Sequence, residues 1–310
     1  MNNLDQTWFC VANPVAGGGK VVRQRPRIER ALKEASIPFE WHWTESAGHA
    51  IELARAAVEA GYRRFVAIGG DGTGHEVVNG MLSQNAVPAS QMWFTLLPIG
   101  TGNDWRRCFD LPTRLNQWVR RLRRGRSVWQ DVGRIHYQRD GRSCSRYFIN
   151  VAGLAYDGYV GRVAAQRKWT HFSKLMYMWL IFRCLLSYEL PEAEVTFGES
   201  RRKGKFYSIN AGICPWSGGG IRMVPHARPD DGLLALTLAG EVSVWGMLRA
   251  VPLFYNGKIA THPAVETDQV PSVTIRPIGH SIVDVEADGE YLGVAPAHIE
   301  IVPRALQVWV

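Results

Sequence analysis

The sequence predicts an α/β plus β architecture, in which an N-terminal α/β domain is followed by a second domain built mostly of β-strands. Three observations predict it. The chain has 310 residues, and single cores stop growing near about 250 to 300 residues, so two domains are expected. Short apolar runs alternate with amphipathic ones through the first part of the chain. After the basic segment Arg120 to Arg126, short strand-like runs replace that alternation.

In the first part the runs are Trp8 to Ala12, Ile28 to Glu34, Phe39 to Trp43, Ala50 to Ala60, Phe65 to Ile68 and Glu76 to Leu82, a β-α-β-α rhythm. Gly-rich corners at Gly17 to Gly19, Gly69 to Gly74 and Gly100 to Gly102 fall where a strand hands over to a helix. A parallel sheet with ligand loops at its carboxyl edge follows. In the second part the strand-like runs are Tyr147 to Val151, Glu194 to Phe197, Phe206 to Ile213, Leu233 to Leu238, Val273 to Ile275 and Ile282 to Val285, with one helical interruption over Thr170 to Leu190. The closing runs His298 to Val302 and Leu306 to Val310 read as strands of either domain.

Composition narrows the class. Hydrophobic residues make up 46% and charged residues 21%, an ordinary globular balance that argues against disorder or a repeat array. The net charge of +8 favours anionic partners: nucleotide, anionic lipid or nucleic acid. The five cysteines, Cys10, Cys108, Cys144, Cys184 and Cys214, have no metal-ligand or disulfide-framework spacing and read as free thiols. Neither a signal peptide nor a transit peptide is readable at the N-terminus. The longest apolar stretch, Leu175 to Phe182, falls short of the roughly 18 residues a spanning helix needs.

The segment GGDGTGHEVVNG, Gly69 to Gly80, follows a buried strand and has the makings of a phosphate cradle. Without a Cβ at Gly70 and Gly72, backbone amides can approach phosphate oxygens, Thr73 adds a hydroxyl, and the next helix presents its positive end. Asp71 suits Mg²⁺ or ribose hydroxyls better than phosphate. The loop LPIGTGNDWRR, ending at Arg107, repeats the turn after a strand, with Asn103 and Asp104 placed to cap the following helix. A third loop, NPVAGGGK from Asn13 to Lys20, ends in a cation suited to phosphate. None has the G-x-x-x-x-G-K-[ST] spacing, and the H-R-D and D-F-G elements of protein kinases are absent.

Together these segments resemble the catalytic domain of the diacylglycerol kinase family, which includes bacterial lipid kinases and eukaryotic sphingosine and ceramide kinases. The patterns N-P-x-[SG]-G-x-G, here with Ala16 in place of Ser or Gly, G-G-D-G-T-x-x-E-V-x-N-G and P-[LI]-G-T-x-N-D occur in order. Later elements at Asn150 to Asp157, Gly218 to Pro225, Asp230 to Leu234 and Ala287 to Glu290 extend the likeness over nearly the whole chain. The resemblance implies a nucleotide domain like that of phosphofructokinase and NAD kinase over residues 1–132 and a β-sandwich-like lipid domain over 133–295. A segment over 296–310 would return to the first domain.

The resemblance also assigns roles. ATP would be bound by Asn13, Thr44, Gly70, Asp71, Gly72, Thr73, Glu76, Gly100, Thr101 and Asn103. Asp288 would accept the proton of the attacking hydroxyl, with Glu290 keeping the site acidic, as phosphoryl transfer requires. A structural Mg²⁺ would be held by Asp231, Leu233 and the carbonyl of Arg228, an oxygen-only set. Ala16, Trp105 and Arg106 depart from the family pattern without removing a group the chemistry requires.

The implied activity is an ATP- and Mg²⁺-dependent lipid kinase acting on a hydroxyl of a lipid such as diacylglycerol, in phospholipid metabolism. Alternatives are an NAD-kinase-like enzyme acting on a water-soluble hydroxyl and an inactive lipid-binding relative, against which the retained Asp71 and Asp288 argue. No zinc spacing or RNP-like motif supports nucleic-acid binding. The arginines of Arg120 to Arg126 suit an anionic membrane surface. The helix carrying Trp169, Phe172, Leu175, Met176, Met178, Trp179 and Phe182 suits an interfacial face or an acyl-chain wall. A cytoplasmic protein, peripheral to the inner face of the membrane, is expected.

Overall fold

The computed structural model describes residues 4–166 and 174–310, so the expected aromatic positions Trp169 and Phe172 lie outside the described residues. The chain divides into two compact units, residues 4–130 with Arg304–Val310, and Asp131–Pro303.

The first unit is a parallel sheet flanked by helices. Its elements are β1 (Trp8–Ala12), α1 (Ala16–Glu34), β2 (Phe39–Trp43), α2 (His49–Glu59), β3 (Arg64–Gly69), α3 (Asp71–Leu82), β4 (Trp93–Pro98), α4 (Trp105–Cys108) and α5 (Leu115–Arg124). β1 lies between β2 and β3, and β3 between β1 and β4, all parallel. β1 is buried throughout, and β3 and β4 are buried beyond their first residue, as their near-continuous apolar runs require of strands covered on both faces. β2 carries alternating polar residues and is half-exposed along its length, as an edge strand. α5 turns Trp118, Val119 and Leu122 inward, and the Trp118 indole donates to the Leu96 carbonyl at 2.9 Å. Its other face presents Arg120, Arg123 and Arg124 to solvent.

The second unit is built on β5 (Ser127–Arg139), which enters it from the first, and on β6 (Arg142–Phe148), β7 (Val151–Ala155), α6 (Tyr156–Gln166), α7 (Lys174–Ser187), β8 (Glu192–Phe197), β9 (Ser200–Lys205) and β10 (Ser208–Gly212). It continues through β11 (Trp216–Ser217), β12 (Ile221–Arg222), β13 (Leu234–Ala239), α8 (Val244–Asn256), β14 (Val265–Val270), β15 (Ser272–Pro277), β16 (Asp284–Ala287) and β17 (Glu290–Trp309). One antiparallel run is ordered β14-β13-β10-β7-β16-β17, and β15 joins β17 to the β8-β9 hairpin. The core draws alternate residues from these strands, among them Phe148, Leu154, Ile209, Leu236, Ile275, Val285 and Ile299.

Several sequence expectations need correction. The run Tyr147 to Val151 is two strands, interrupted at Ile149 and Asn150. The helices α6 and α8 and the polar strands β9 and β14 were not legible as such. β9, with the sequence SRRKGK, has no apolar period and is held by pairing with β8 and by ion pairs from Arg201 and Lys203 to Glu194. The closing runs form one strand, β17, and only 304–310 belongs to the first unit, not 296–310. Ala297 to Glu300 are held by the ladder with β15, whereas Gln307 and Val308 pair with β4. Arg126 and Val310 exchange backbone hydrogen bonds at 2.7 and 2.9 Å, which fixes the chain end.

Helices α2 and α3 approach closely at Gly80, where an added Cβ would lie 2.4 Å from the Ile51 carbonyl oxygen and 2.7 Å from the Ala54 Cβ. Alanine favours an isolated helix over glycine by about 1 kcal/mol, but here it must push two helices apart. Gly80→Ala is expected to lower unfolding free energy by about 1 to 3 kcal/mol. Urea titration checks it, and a stabilised variant would contradict the packing.

Candidate active site

In the first unit the three glycine loops converge. The side-chain amide of Asn13 reaches the Thr73 hydroxyl at 3.4 Å, and its Oδ1 accepts from the Val15 amide at 3.1 Å. Gly17 to Gly19 take φ angles of 59°, 68° and 76°, a left-handed run natural only to glycine, and a Cβ on Gly17 would sit 2.2 Å from the Ile99 carbonyl oxygen. A Cβ on Gly100 would meet the Gly70 Cα at 2.3 Å. The loops after β1, β3 and β4 thus touch backbone to backbone.

The acids of these loops do work that the motifs did not reveal. Asp71 accepts the amides of Asp104 and Trp105, each at 3.1 Å, and so caps α4. The expected capping by Asn103 or Asp104 side chains is not found; α4 is only four residues long and Asp71 reaches its start from the neighbouring corner. Glu76 accepts from Gly48 at 2.9 Å and from Ala50 at 3.2 Å, capping α2 and tying down the loop that begins at Thr44, whose amide donates to the Ala12 carbonyl at 2.9 Å. The Thr73 side chain is buried beneath Gly69. Gly72 lies in the first turn of α3, and Thr101 is exposed. Asn103, at φ 53°, donates to the Gly100 carbonyl at 2.7 Å, while its buried Oδ1 has no hydrogen-bond partner. Trp105 is a packing residue, its ring tilted against those of Phe94 and Phe109 and its indole donating to Gln130 at 3.0 Å.

In the second unit Asp288 stands in a tight turn at φ 52°. Its Oδ1 accepts from Asn150 at 2.9 Å and Val151 at 3.2 Å, and its Oδ2 from Ile149 at 2.9 Å. The break between β6 and β7 supplies these amides, and the Asp288 amide returns a bond to the Val151 carbonyl at 2.9 Å. Asn150 is fixed through its side-chain amide to the Trp216 carbonyl at 2.5 Å, leaving a buried Oδ1 without a partner.

Glu290 is exposed at the start of β17, opposite Ala287. Two acids of this unit carry no role in the sequence reading: Glu286, which is buried and feels the charge of Asp288, and Asp157, whose charge acts on Glu286. Glu286 accepts the Gly289 amide at 2.7 Å, bracing the turn that carries Asp288. Asp157 accepts the Ser208 hydroxyl, and Asn210 donates to that hydroxyl at 2.6 Å. Burial raises the carboxyl of Asp157, and burial followed by the charge of Asp157 raises that of Glu286 well above the usual range; Asp288 and Glu290 add to the latter. The strand period of two, which puts Asp284 and Glu286 on the face opposite core residues Val285 and Ala287, was the available signal.

At the Asp-Asp-Gly turn, the expected magnesium site, protein donors engage the carboxylates. Asp231 is exposed, and its oxygens accept the Leu233 amide at 3.1 Å and the Gln269 side chain at 3.1 Å. The buried carboxylate at this turn, Asp131, accepts the Gly232 amide at 2.7 Å, and Arg228 adds a cation. Among the described residues no group of three or more ligating side chains gathers.

The raised Glu286 carboxyl predicts a pH dependence. A proton held more tightly in the folded chain contributes stability below the ordinary glutamate value of about 4.3, and that contribution is lost as pH rises through the folded-state value. Glu286→Gln cannot ionise, so its unfolding free energy should fall less steeply than the parent's from about pH 4.5 upward. Denaturant titrations across that range check this, and equal slopes would reject a tightly held proton.

Residues 7–135 match the diacylglycerol kinase catalytic domain, and residues 150–310 match the YegS C-terminal NAD kinase beta sandwich-like domain. A diacylglycerol kinase of Staphylococcus carnosus is 26% identical, with 96% of this chain and 93% of that protein covered. One of Mycobacterium tuberculosis is 27% identical, with the same shares of the two chains covered. The crystal structure of a diacylglycerol kinase from Bacillus anthracis superposes with a TM-score of 0.71 at 18% identity, over 98% of this chain and 96% of that one. With both halves of the chain matched in order, it belongs to the diacylglycerol kinase catalytic-domain family and is a lipid kinase.

Proposed function

We propose that the protein transfers the terminal phosphoryl group of ATP, as its magnesium complex, to a hydroxyl of a lipid of the diacylglycerol type. The observation that carries this reading is the convergence of three glycine loops on the backbone contact of Gly70 with Gly100, beside the unpartnered Oδ1 of Asn103. Backbone amides at Gly70, Asp71 and Gly72 open α3 and suit phosphate oxygens. The Asn103 oxygen suits a donor on the nucleotide. Asp71, Glu76 and Asn13 hold the loops in shape around it.

Magnesium, carried by the nucleotide's phosphates, would offset the charge that gathers as the phosphoryl group moves. Asp288 is the proton acceptor of the second unit. Its three backbone amides orient the carboxylate, and Glu286 fixes the turn beneath it. In the transfer the lipid oxygen bonds to the γ-phosphorus, the bond from γ-phosphorus to the bridging oxygen breaks, and the hydroxyl proton passes to Asp288. ADP leaves with the bridging oxygen. The basic face of α5 suits an anionic membrane surface, where such a lipid resides.

Transfer of labelled phosphate from ATP to diacylglycerol, and to a total lipid extract with NAD as the water-soluble control, tests the reaction. Product on NAD and none on lipid would overturn it. Asp288→Asn should lower turnover by roughly a hundredfold or more with ATP affinity little changed; activity within threefold of the parent would remove Asp288 from the chemistry. Gly100→Ala should weaken ATP binding at least about tenfold, because its methyl group would separate the loops after β3 and β4. Calorimetric titration reads it, and parental affinity in a folded variant would contradict the cradle. Raising salt, or replacing Arg121 and Arg124 with Glu, should release the protein from phosphatidylglycerol vesicles, since screening acts over about 8 Å at physiological salt. Co-sedimentation that ignores salt would reject the basic contact.

A further inference from the structure

Large apolar side chains are exposed at few places among the described residues, and eight of the eleven lie on two helices of the second unit, four on α7 and four on α8. On α7, Trp179, Phe182 and Leu186 are 52%, 48% and 65% exposed, a spacing that keeps them on one helical face. The opposite face buries Leu180, Cys184 and Leu185. On α8, Trp245 is 75% exposed, and Val251 and Tyr255 are 40% and 49% exposed, while Met247 and Leu248 pack on the same cluster as Leu180 and Leu185. The two helices therefore share one small core and leave apolar side chains on their outer faces.

We infer that these outer faces of α7 and α8 form a membrane-docking surface that lies in the interface of a bilayer, with Trp245 as its most protruding anchor. This rests on the lipid-kinase reading and names where the protein meets its substrate's surface, apart from the basic face of α5. Three observations select a bilayer as the occupant. Among the described residues the helices span 14 and 13 residues, about 20 Å at 1.5 Å per residue, short of a hydrocarbon core of about 30 Å, which suits them to lying along it. Neither helix contains an acidic residue, and both Arg183 and Arg249 are exposed, which complements anionic headgroups. A two-fold contact with a second copy would instead set these cations against each other without a counter-charge. The Arg183 guanidinium lies 5.9 Å over the Trp179 ring, the pairing of aromatic body and cationic tip suited to the headgroup boundary.

The test uses the full chain and vesicles of phosphatidylcholine with phosphatidylglycerol. Trp245→Glu and the double variant Trp179→Glu, Trp245→Glu should lower vesicle partitioning at least tenfold. Phosphorylation of vesicle-embedded long-chain diacylglycerol should fall in proportion, while turnover of monomeric dioctanoylglycerol in solution stays within twofold of the parent. Ile282→Glu, at a residue 68% exposed on neither helix, should bind vesicles like the parent. Parental vesicle binding by Trp245→Glu overturns the inference, as does absence of binding by the parent or an equal loss of turnover on the monomeric lipid. A parent that is dimeric and becomes monomeric in Trp245→Glu also overturns it, because the face then holds a second copy. Should the double variant melt early, Trp245→Glu alone decides. Absence of turnover on dioctanoylglycerol by the parent counts against that substrate, while the vesicle measurement still judges the docking face.

Discussion

Carboxylates that accept backbone amides from distant loops hold this protein's functional regions in place. Asp71 takes the amides of Asp104 and Trp105, Glu76 those of Gly48 and Ala50, and Asp131 that of Gly232. Asp288 takes those of Ile149, Asn150 and Val151. These bonds join residues between 26 and 139 positions apart. Loops at the ends of strands leave amides without ladder partners, and a buried amide left unpaired is costly. A charged acceptor satisfies such amides more strongly than a neutral one and fixes the loop at the same time.

This use of acids changes how the family motifs read. The Asp and Glu of Gly-Gly-Asp-Gly-Thr-Gly-His-Glu look like ligand contacts, yet each has a structural assignment in the first unit. Asp71 joins the loop after β3 to the loop after β4, and Glu76 joins the loop after β3 to the start of α2. What remains for a nucleotide is largely backbone, together with the Asn103 oxygen. Preorganisation of this kind suits phosphoryl transfer, in which positioning and charge stabilisation outweigh covalent chemistry. In the second unit the same device aims Asp288, and Glu286 and Asp157 give that unit a store of carboxyl groups whose protons are held tightly.

The two units also differ in what they offer a membrane. The first carries an amphipathic helix, α5, whose outer face is cationic, while the second carries the aromatic faces of α7 and α8. Among the described residues no helix is long and apolar enough to cross a bilayer. Electrostatic attraction to an anionic surface and shallow burial of Trp and Leu side chains are separable contributions, one screened by salt and the other not.

The sequence by itself determined the α/β rhythm of the first unit, because β1, β3 and β4 are apolar runs closed by glycines at the corners where no Cβ fits. It also determined the family, through motifs whose order survives at low identity. It pointed to Gly70 by residue type and spacing, and to Asp288 and Asn103 through the family resemblance. Only the tertiary structure decided which groups those residues meet. β9 and β14 are polar strands whose pairing, not their side chains, makes them strands, and α8 hides behind Gly246 and Pro252, residues that interrupt a helical reading. The chain returns to the first unit at Arg304, later than the sequence suggests, because β17 runs unbroken from one unit into the other and hydrogen-bond partners alone mark the change. The capping roles of Asp71 and Glu76, the closed Asp-Asp-Gly turn and the burial of Glu286 all depend on contacts between residues far apart in sequence. A one-dimensional pattern records the chemical type of a carboxylate; its partners, and hence its task, exist only once the chain has folded.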